Sequence, residues 1–361
     1  MNSEVAQRIA EEVAAKGKMP GLSFAVAGPE GLLYAGTVGY ADLAERREST
    51  VDDQYPWFSM TKIATATAVV RLHVNGKLDL DTPIGTYLPG YRPSAKSGHP
   101  TTRQLLTHTA GLANPLPIRW VRPEGDREDP ALLDRIVRKH GSPRRAVGGR
   151  AAYSNIGYLL AGKVIEAVTG ESVQDHVHRS VLEPLGMKNT GYEFQASGPR
   201  SIGYVRLNPA AVPVLRWALP SGIVGNRVAG HTALRPFLVS GPAYGGLVGT
   251  VTDAALLAAA HSAGLSDHHP LLPYEQVEAM RTISAPGKPF DHGIGWFRPP
   301  AGADRTPAYV EHYGTGCGFW NAMRIYPHRR LAMVAMTNTT FRWEFDNLFT
   351  RLEQLRRDSC H

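Results

Sequence analysis

The chain carries a single serine with a lysine three residues later, Ser59 and Lys62. Three residues are nearly one helical turn, so both side chains share a face of the helix that the apolar spacing predicts at 60–74. A serine hydroxyl becomes an effective nucleophile when a neighbouring base takes its proton. A lysine that its surroundings keep neutral can be that base. The alternative interpretation of this spacing alone is a helix cap followed by a solvated lysine.

A second candidate element is Tyr153-Ser154-Asn155, the one Tyr-x-Asn in the sequence. A phenol beside a cationic lysine loses its proton more easily and can relay protons. The Asn155 amide can orient a lysine or hold a substrate carbonyl. The alternative is a partly buried tyrosine followed by an asparagine that caps the next helix, which is predicted to run to residue 169.

The third element is His312-Tyr313-Gly314-Thr315, which lies on a predicted strand. Alternate side chains of a strand share a face, so His312 and Gly314 point the same way and the glycine leaves room for a substrate. The backbone amide of Thr315 can then pair with that of Ser59 to hold an oxyanion. The alternative is an ordinary strand end with a surface histidine.

Elements from both ends of the chain must position these residues. Strands are predicted at 21–27, 32–39, 293–297, 308–313, 318–325 and 331–337, with a closing helix at 341–356. The simplest assembly is an α/β fold in which one antiparallel sheet, flanked by helices, is built from residues 1–78 and 195–361. A helical domain, residues 79–194, is inserted beside it, with the site at the mouth between the two. The Gly- and Pro-rich stretch 197–246 is predicted to form long loops.

Together the three elements resemble the serine β-lactamase and penicillin-recognising hydrolase superfamily. The similarity is greatest to the branch of class C β-lactamases, D-alanyl-D-alanine carboxypeptidases and family VIII carboxylesterases, and it covers most of the chain. The His-Thr-Ala-Gly-Leu run at 108–112 is typical of that branch. Further runs that carry the resemblance are Asp79-Leu80-Asp81-Thr82-Pro83-Ile84, Leu185-Gly186-Met187-Lys188-Asn189-Thr190, Gly245-Gly246-Leu247 and Thr252-Asp253.

The resemblance implies a β-lactamase/transpeptidase-like fold: an antiparallel sheet flanked by helices, plus an inserted all-helical region. It also implies that Ser59 is acylated, that Lys62 is its general base, and that Tyr153 carries the proton between nucleophile and leaving group. No metal or organic cofactor is needed for this chemistry. His108, in the family-typical run, is expected to have a structural role.

The same resemblance assigns the substrate-binding residues. Asn155 would position the substrate and Lys62, and His312 would line the far wall of the pocket next to Gly314. The backbone amides of Ser59 and Thr315 would form the oxyanion hole. Four aromatic residues are candidates for apolar walls: Phe58, Trp120, Tyr244 and Trp320.

The substrate class follows from His312, which stands where most class C β-lactamases have a lysine. A charged lysine there attracts the carboxylate of a β-lactam or a peptide, whereas a histidine is mostly neutral at pH 7. This favours a serine hydrolase, a carboxylesterase, that cleaves small carboxylic esters through an acyl-enzyme. The alternatives are a β-lactamase or D-alanyl-D-alanine-type peptidase, an acyltransferase, and a non-catalytic binding protein.

The resemblance implies a small-molecule partner, an ester or an amide substrate. The formal net charge of +7 comes from scattered residues, whereas nucleic-acid binders concentrate their charge, so no nucleic-acid partner is expected.

No apolar run is long enough to span a bilayer. The amphipathic segment 1–18 lacks the pattern of a secretory signal, which predicts a cytoplasmic location. The two cysteines, Cys317 and Cys360, predict neither a disulfide framework nor a metal site, and the sequence defines no oligomeric state.

Overall fold

The computed structural model describes residues 2–93, 98–263, 271–299, 308–340 and 344–358. Its helices are α1 (Ser3–Gly17), α2 (Thr61–Val74), α3 (Thr102–Leu106), α4 (Pro130–His140), α5 (Asn155–Thr169), α6 (Val173–Val177), α7 (Val212–Ala218), α8 (Pro242–Gly245), α9 (Val251–Ser262), α10 (Tyr274–Arg281) and α11 (Phe345–Asp358). Its strands are β1 (Gly21–Gly28), β2 (Gly31–Asp42), β3 (Arg47–Glu48), β4 (Tyr55–Pro56), β5 (Val121–Pro123), β6 (Thr190–Gly191), β7 (Gly203–Val205), β8 (Val224–Val228), β9 (His231–Leu234), β10 (Phe237–Val239), β11 (Val248–Gly249), β12 (Asp291–His292), β13 (Phe297–Arg298), β14 (Val310–Gly316), β15 (Phe319–Tyr326) and β16 (Leu331–Thr337).

The largest sheet has eight strands in the order β12-β13-β14-β15-β16-β1-β2-β3, and each neighbouring pair is antiparallel. Strand β1 is buried along its whole length because helices cover both faces of the sheet. Leu22, Phe24 and Val26 pack with α1 and α11, whereas Ala25 and Ala27 face the larger core that contains α2 and α9. This alternation is the two-residue period of a strand. The predicted antiparallel sheet, built from both ends of the chain and flanked by helices, is confirmed.

Two segments differ from the sequence-based expectation. The run 293–297 is not one strand: β12 and β13 pair with each other as a hairpin, and Gly295 lies at the turn with φ of +79°. The region 197–246 is not only loops, because β7, β9 and β8 form a small sheet and β10 pairs with β5. The β8–β9 hairpin turns at Ala229 and Gly230, both with positive φ. An Ala-Gly pair lacks the Asn-Gly signal of such turns, so the sequence pattern missed it.

The inserted segment is mostly helical but also contains β5 and β6, so it is not purely helical. The described part of the predicted closing helix is α11, and residues 341–343 lie outside the described residues. None of the described helices has the length and apolar character required to cross a bilayer.

Candidate active site

Ser59 lies in a single 3₁₀ turn, Phe58–Met60, that leads directly into α2. The residue before it, Phe58, has φ of +47°, a left-handed conformation that costs a side-chain-bearing residue about 1–2 kcal/mol. Packing maintains this strain: the Phe58 ring lies 6.1 Å from the ring of Phe237 and 6.2 Å from that of Phe319. The strained turn therefore presents the Ser59 hydroxyl at the N-terminal end of α2.

The Lys62 amine is completely buried and makes three polar contacts. Its Nζ lies 3.0 Å from Ser59 Oγ, 2.8 Å from Asn155 Oδ1 and 2.9 Å from the carbonyl oxygen of Tyr244. Burial holds the pKa of Lys62 well below its usual range, because the charged ammonium loses its hydration there. Lys62 is therefore available as a neutral amine at lower pH than a solvated lysine.

The partners of Lys62 orient the neutral amine as a base. Asn155 Oδ1 and the Tyr244 carbonyl can only accept hydrogen bonds, so they take the two N–H donors of the neutral form. The remaining lone pair then points to Ser59, whose O–H can donate to it. These contacts leave the lone pair of Lys62 oriented so that the amine can accept the Ser59 proton.

The start of α5 supplies Asn155, and its cap differs from the sequence-based expectation. Ser154, and not Asn155, caps the helix: its Oγ accepts from the Gly157 amide at 3.3 Å and donates to the Ala113 carbonyl at 2.7 Å. Because serine takes the capping role, the Asn155 side-chain oxygen is free to accept from Lys62. The helix cap and the contact with Lys62 therefore use two different side chains, Ser154 and Asn155.

Tyr153 lies beside both Lys62 and Ser59. Lys62 Nζ is 4.9 Å from the centre of the Tyr153 ring. Burial raises the pKa of the Tyr153 phenol, and a hydrogen bond with the Ser59 hydroxyl offsets part of that rise. The expectation that a cationic lysine makes this phenol more acidic is wrong, because Lys62 is itself buried and disfavoured as a cation. Tyr153 therefore stays protonated at neutral pH and can donate a proton.

His108 and His292 complete the surroundings of Tyr153. The His108 ring lies 4.4 Å from that of Tyr153 and 4.8 Å from that of His292, and its Nδ1 accepts from the Ser154 amide at 3.1 Å. Burial lowers the pKa of His292 to about 4 and that of His108 well below its usual range. His108 thus fastens the start of α5, in keeping with the structural role expected for it. His292 was missed because nothing in its sequence neighbourhood marks it.

His312 lies beneath the site and not in the wall of the cavity. It is 1% exposed, and its Nδ1 donates to the Gly295 carbonyl at 2.7 Å. Its ring centre is 6.3 Å from that of Tyr153. Burial and the nearby Lys62 keep the pKa of His312 well below its usual range. The structure therefore gives the substrate no charged histidine at this position.

Gly314 allows strand β14 to approach the nucleophile turn. A Cβ at Gly314 would lie only 2.0 Å from the Trp57 carbonyl oxygen, and one at Gly316 would lie 2.0 Å from the Phe58 ring. The space that the glycine leaves is therefore filled by the backbone before Ser59, and not by substrate as the sequence suggested. This contact brings Thr315 to the edge of the same cavity as Ser59.

A cavity of about 270 Å³ opens beside Ser59. Asn155, Tyr244 and Thr315 lie at its polar end. Its apolar walls come from Phe58, Ile118, Val121, Leu219, Ile223, Phe237 and Val239. The described residues that line it include no lysine, arginine, histidine, aspartate or glutamate.

Two of the four aromatic residues expected in the walls, Phe58 and Tyr244, line the cavity. Trp120 instead packs edge-on against Tyr244, with ring centres 5.8 Å apart, and Trp320 packs in the core on the far side of the sheet. Cys317 is partly exposed and lines the cavity. Alternate side chains of a strand face opposite sides of the sheet, which explains why Trp320 points away from the core that its neighbours on β15 face.

A serine hydroxyl beside a buried lysine amine and a protonated tyrosine is an arrangement suited to acyl transfer through serine. The Beta-lactamase family model matches residues 6–355, and the chain belongs to that family. The predicted superfamily is thus confirmed.

Two curated relatives match part of the chain. It is 31% identical to the esterase EstB of Burkholderia gladioli over 172 residues, which are 45% of this chain and 44% of EstB. It is 27% identical to penicillin-binding protein 4* of Bacillus subtilis (strain 168) over 202 residues, 55% of this chain and 43% of that protein. The matches span less than half the length of these relatives.

A solved structure matches nearly the whole chain. The D-amino acid amidase from Ochrobactrum anthropi SV3, in complex with D-phenylalanine, superposes with a TM-score of 0.73 at 26% identity. The match covers 93% of this chain and 91% of the amidase. An esterase, a penicillin-binding protein and an amidase thus share this fold with the chain.

The role of the Tyr153 phenol as a proton donor can be tested by substitution. We expect Tyr153→Phe to lower kcat about 10²- to 10⁴-fold, the usual contribution of a positioned proton donor, because the ring packs as before while the proton path is lost. Ester hydrolysis measured by stopped-flow or steady-state absorbance checks this.

Tyr158→Phe is the matched control. The Tyr158 hydroxyl donates to the Leu106 carbonyl at 3.1 Å, and its ring also lies close to Lys62, at 5.4 Å. This variant should lose about 1 kcal/mol of stability and retain most of its activity. If both variants kept wild-type kcat, the proton-carrying role of Tyr153 would be refuted.

Proposed function

We propose that this protein is a serine hydrolase that cleaves small, uncharged carboxylic esters through an acyl-enzyme on Ser59. The observation that carries the proposal is the cavity beside Ser59, whose described lining is mostly apolar and includes no lysine, arginine, histidine, aspartate or glutamate. A substrate carboxylate bound there would lose its hydration without gaining a charged partner, which costs several kcal/mol. The cavity therefore favours a neutral substrate.

The catalytic residues act in two stages in this proposal. Neutral Lys62 takes the Ser59 proton as Oγ attacks the ester carbonyl, and the backbone amides of Ser59 and Thr315 hold the oxyanion. Collapse of the tetrahedral intermediate expels the alcohol, which takes a proton delivered through Tyr153. Water then attacks the acyl-enzyme, giving up a proton to the same groups, and the acid is released with Ser59 restored. Asn155 holds Lys62 and the substrate carbonyl in place.

EstB, an esterase, supports this proposal by similarity. The same acyl-enzyme also suits a β-lactamase, a D-alanyl-D-alanine-type peptidase or an acyltransferase, and the amidase and penicillin-binding relatives are consistent with those activities. The buried, neutral His312 argues for the ester, since the site has no lysine in its place. The division into residues 1–78 with 195–361 and 79–194, and the cytoplasmic location, remain predictions.

The test compares two chromogenic substrates, p-nitrophenyl butyrate and a chromogenic cephalosporin, on the same preparation. We expect kcat/KM for the ester to exceed that for the cephalosporin by at least about a hundredfold, because a cavity whose described lining offers the carboxylate no cation forgoes about 3 kcal/mol of charged hydrogen bonding. Ser59→Ala should lose both activities. A higher kcat/KM for the cephalosporin would place the protein with the β-lactamases instead.

A further inference from the structure

Four large apolar side chains are exposed together beside the mouth of the cavity, and we call them the apolar rim. Leu116 and Ile118 lie on the loop that precedes β5, and Val214 and Trp217 lie one turn apart on α7. Their exposed fractions are 80%, 44%, 64% and 76% in that order. Large apolar side chains grouped in solvent mark a binding surface more often than chance.

The apolar rim continues the wall of the cavity. Ile118 belongs to both, and its neighbour Pro117 and the residue after α7, Leu219, also line the cavity. The two segments are tied to each other, since Arg119 donates to the Trp217 carbonyl at 2.8 Å and its guanidinium lies 5.8 Å from the centre of the indole ring. The segments that carry the apolar rim therefore also supply part of the wall of the cavity.

The volume of the cavity decides what can lie on the apolar rim. At about 270 Å³ it falls below the range of roughly 300–1,000 Å³ that encloses a drug-sized ligand. The acyl and alcohol groups of an ester share this volume, so the end of a longer chain emerges at the mouth. The part of the chain that emerges then contacts the exposed side chains of Leu116 and Trp217.

We propose that the preferred substrate is a carboxylic ester with an extended alkyl chain, whose first carbons lie in the cavity and whose remainder lies across the apolar rim. This rests on the proposed ester hydrolysis at Ser59. Covering the rim removes apolar surface of both chain and protein from water, which is favourable in proportion to the area covered. No charged group of the substrate is needed for this recognition.

The experiment measures kcat/KM for p-nitrophenyl acetate and octanoate below the concentration at which they aggregate. The variant Leu116→Ser/Trp217→Ala removes the rim, and Leu32→Ser/Leu33→Ser, at two other exposed leucines on β2, is the matched control. We expect the octanoate-to-acetate ratio to fall about tenfold in the rim variant. Hydrolysis of acetate should stay within about twofold of wild type, and the control should keep the wild-type ratio.

Three outcomes overturn the inference, and they are distinguishable. If Ser59-dependent ester hydrolysis is present but the ratio is the same in wild type and rim variant, the apolar rim does not bind the chain. If phosphatidylglycerol vesicles raise wild-type activity and the rim variant loses only that stimulation, the rim binds a lipid surface instead. If neither esters nor an octyl p-nitrophenyl phosphonate react at Ser59, the proposed function itself fails and this inference with it.

Discussion

Ser59→Ala is expected to reduce ester turnover by about 10⁴- to 10⁶-fold, the scale at which loss of the nucleophile leaves only binding and oxyanion stabilisation. The change removes one oxygen from a half-buried position, and the left-handed Phe58 and the packing of β14 against the turn are untouched. The fold should therefore survive. Steady-state hydrolysis of p-nitrophenyl butyrate, together with the melting temperature, checks both parts of the prediction.

The exposed Ser284 supplies the control, because Ser284→Ala makes the same chemical change away from the cavity. It should leave kcat/KM unchanged. Intact-mass measurement after brief exposure to an ester should show an acyl adduct on wild type and none on Ser59→Ala. Residual turnover within a hundredfold of wild type in a clean Ser59→Ala preparation would contradict an acyl-enzyme on Ser59.

Lys62→Met is expected to lower kcat/KM by at least about a thousandfold, since Ser59 then has no base to take its proton. Methionine fills much of the same buried volume, so the loss reports chemistry and not a cavity. Reaction of Ser59 with a fluorophosphonate probe should slow by a similar factor. Labelling at the wild-type rate in Lys62→Met would show that the lysine does not activate the serine.

Lys77→Met is the matched control, because this lysine is exposed just after the same helix, α2. It should behave as wild type in both the turnover and the labelling measurements. A similar loss in both lysine variants would mean that the change acts through general charge, and the role of Lys62 as a base would have to be abandoned.

The lowered pKa of Lys62 also sets the direction of two pH dependences. Since the neutral amine is the base, kcat/KM should rise with pH through the Lys62 pKa and level off above it. For stability, the unfolded lysine titrates near 10.5, whereas the folded one titrates well below that value. Between these two pKa values the unfolded chain binds the extra proton, so the contribution of Lys62 to the free energy of unfolding increases with pH.

Urea unfolding of wild type and Lys62→Met across this window measures that contribution directly. The difference between their free energies of unfolding, wild type minus variant, should rise with pH up to about 10.5 and be constant above it. A difference that is flat with pH would mean that Lys62 keeps its ordinary pKa in the folded protein.

The local sequence pattern was sufficient to predict the strands and helices whose signals lie in short, continuous segments. The apolar runs that became β1 and β16 were readable because both strands are buried along their whole length. The sequence pattern did not predict the turn at Ala229 and Gly230, because both residues have positive φ without the Asn-Gly pair that is typical of such turns. It also missed the hairpin at 293–297, because short strands against a core show no alternation.

The sequence by itself determined the residue types of the candidate site: a serine and a lysine one turn apart, a Tyr-x-Asn, and a His-x-Gly on a strand. It also determined that Ser59, in the turn that leads into α2, and Lys62, in the first turn of α2, would share a face, since they are nearly one helical turn apart. These are local properties, and they were sufficient to identify the family that the matched model confirms.

Only the tertiary structure decided what those residues can do. Burial lowers the pKa of Lys62, and its amine is oriented by Asn155 and the Tyr244 carbonyl, 93 and 182 residues away along the chain. Burial also lowers the pKa of His312 despite its hydrogen bond to the Gly295 carbonyl, and the room at Gly314 is taken by the Trp57 backbone. The charge state of a side chain and the free space beside it depend on all the groups packed around it. Packing brings together segments that are far apart in the sequence, so residue spacing alone does not predict either property.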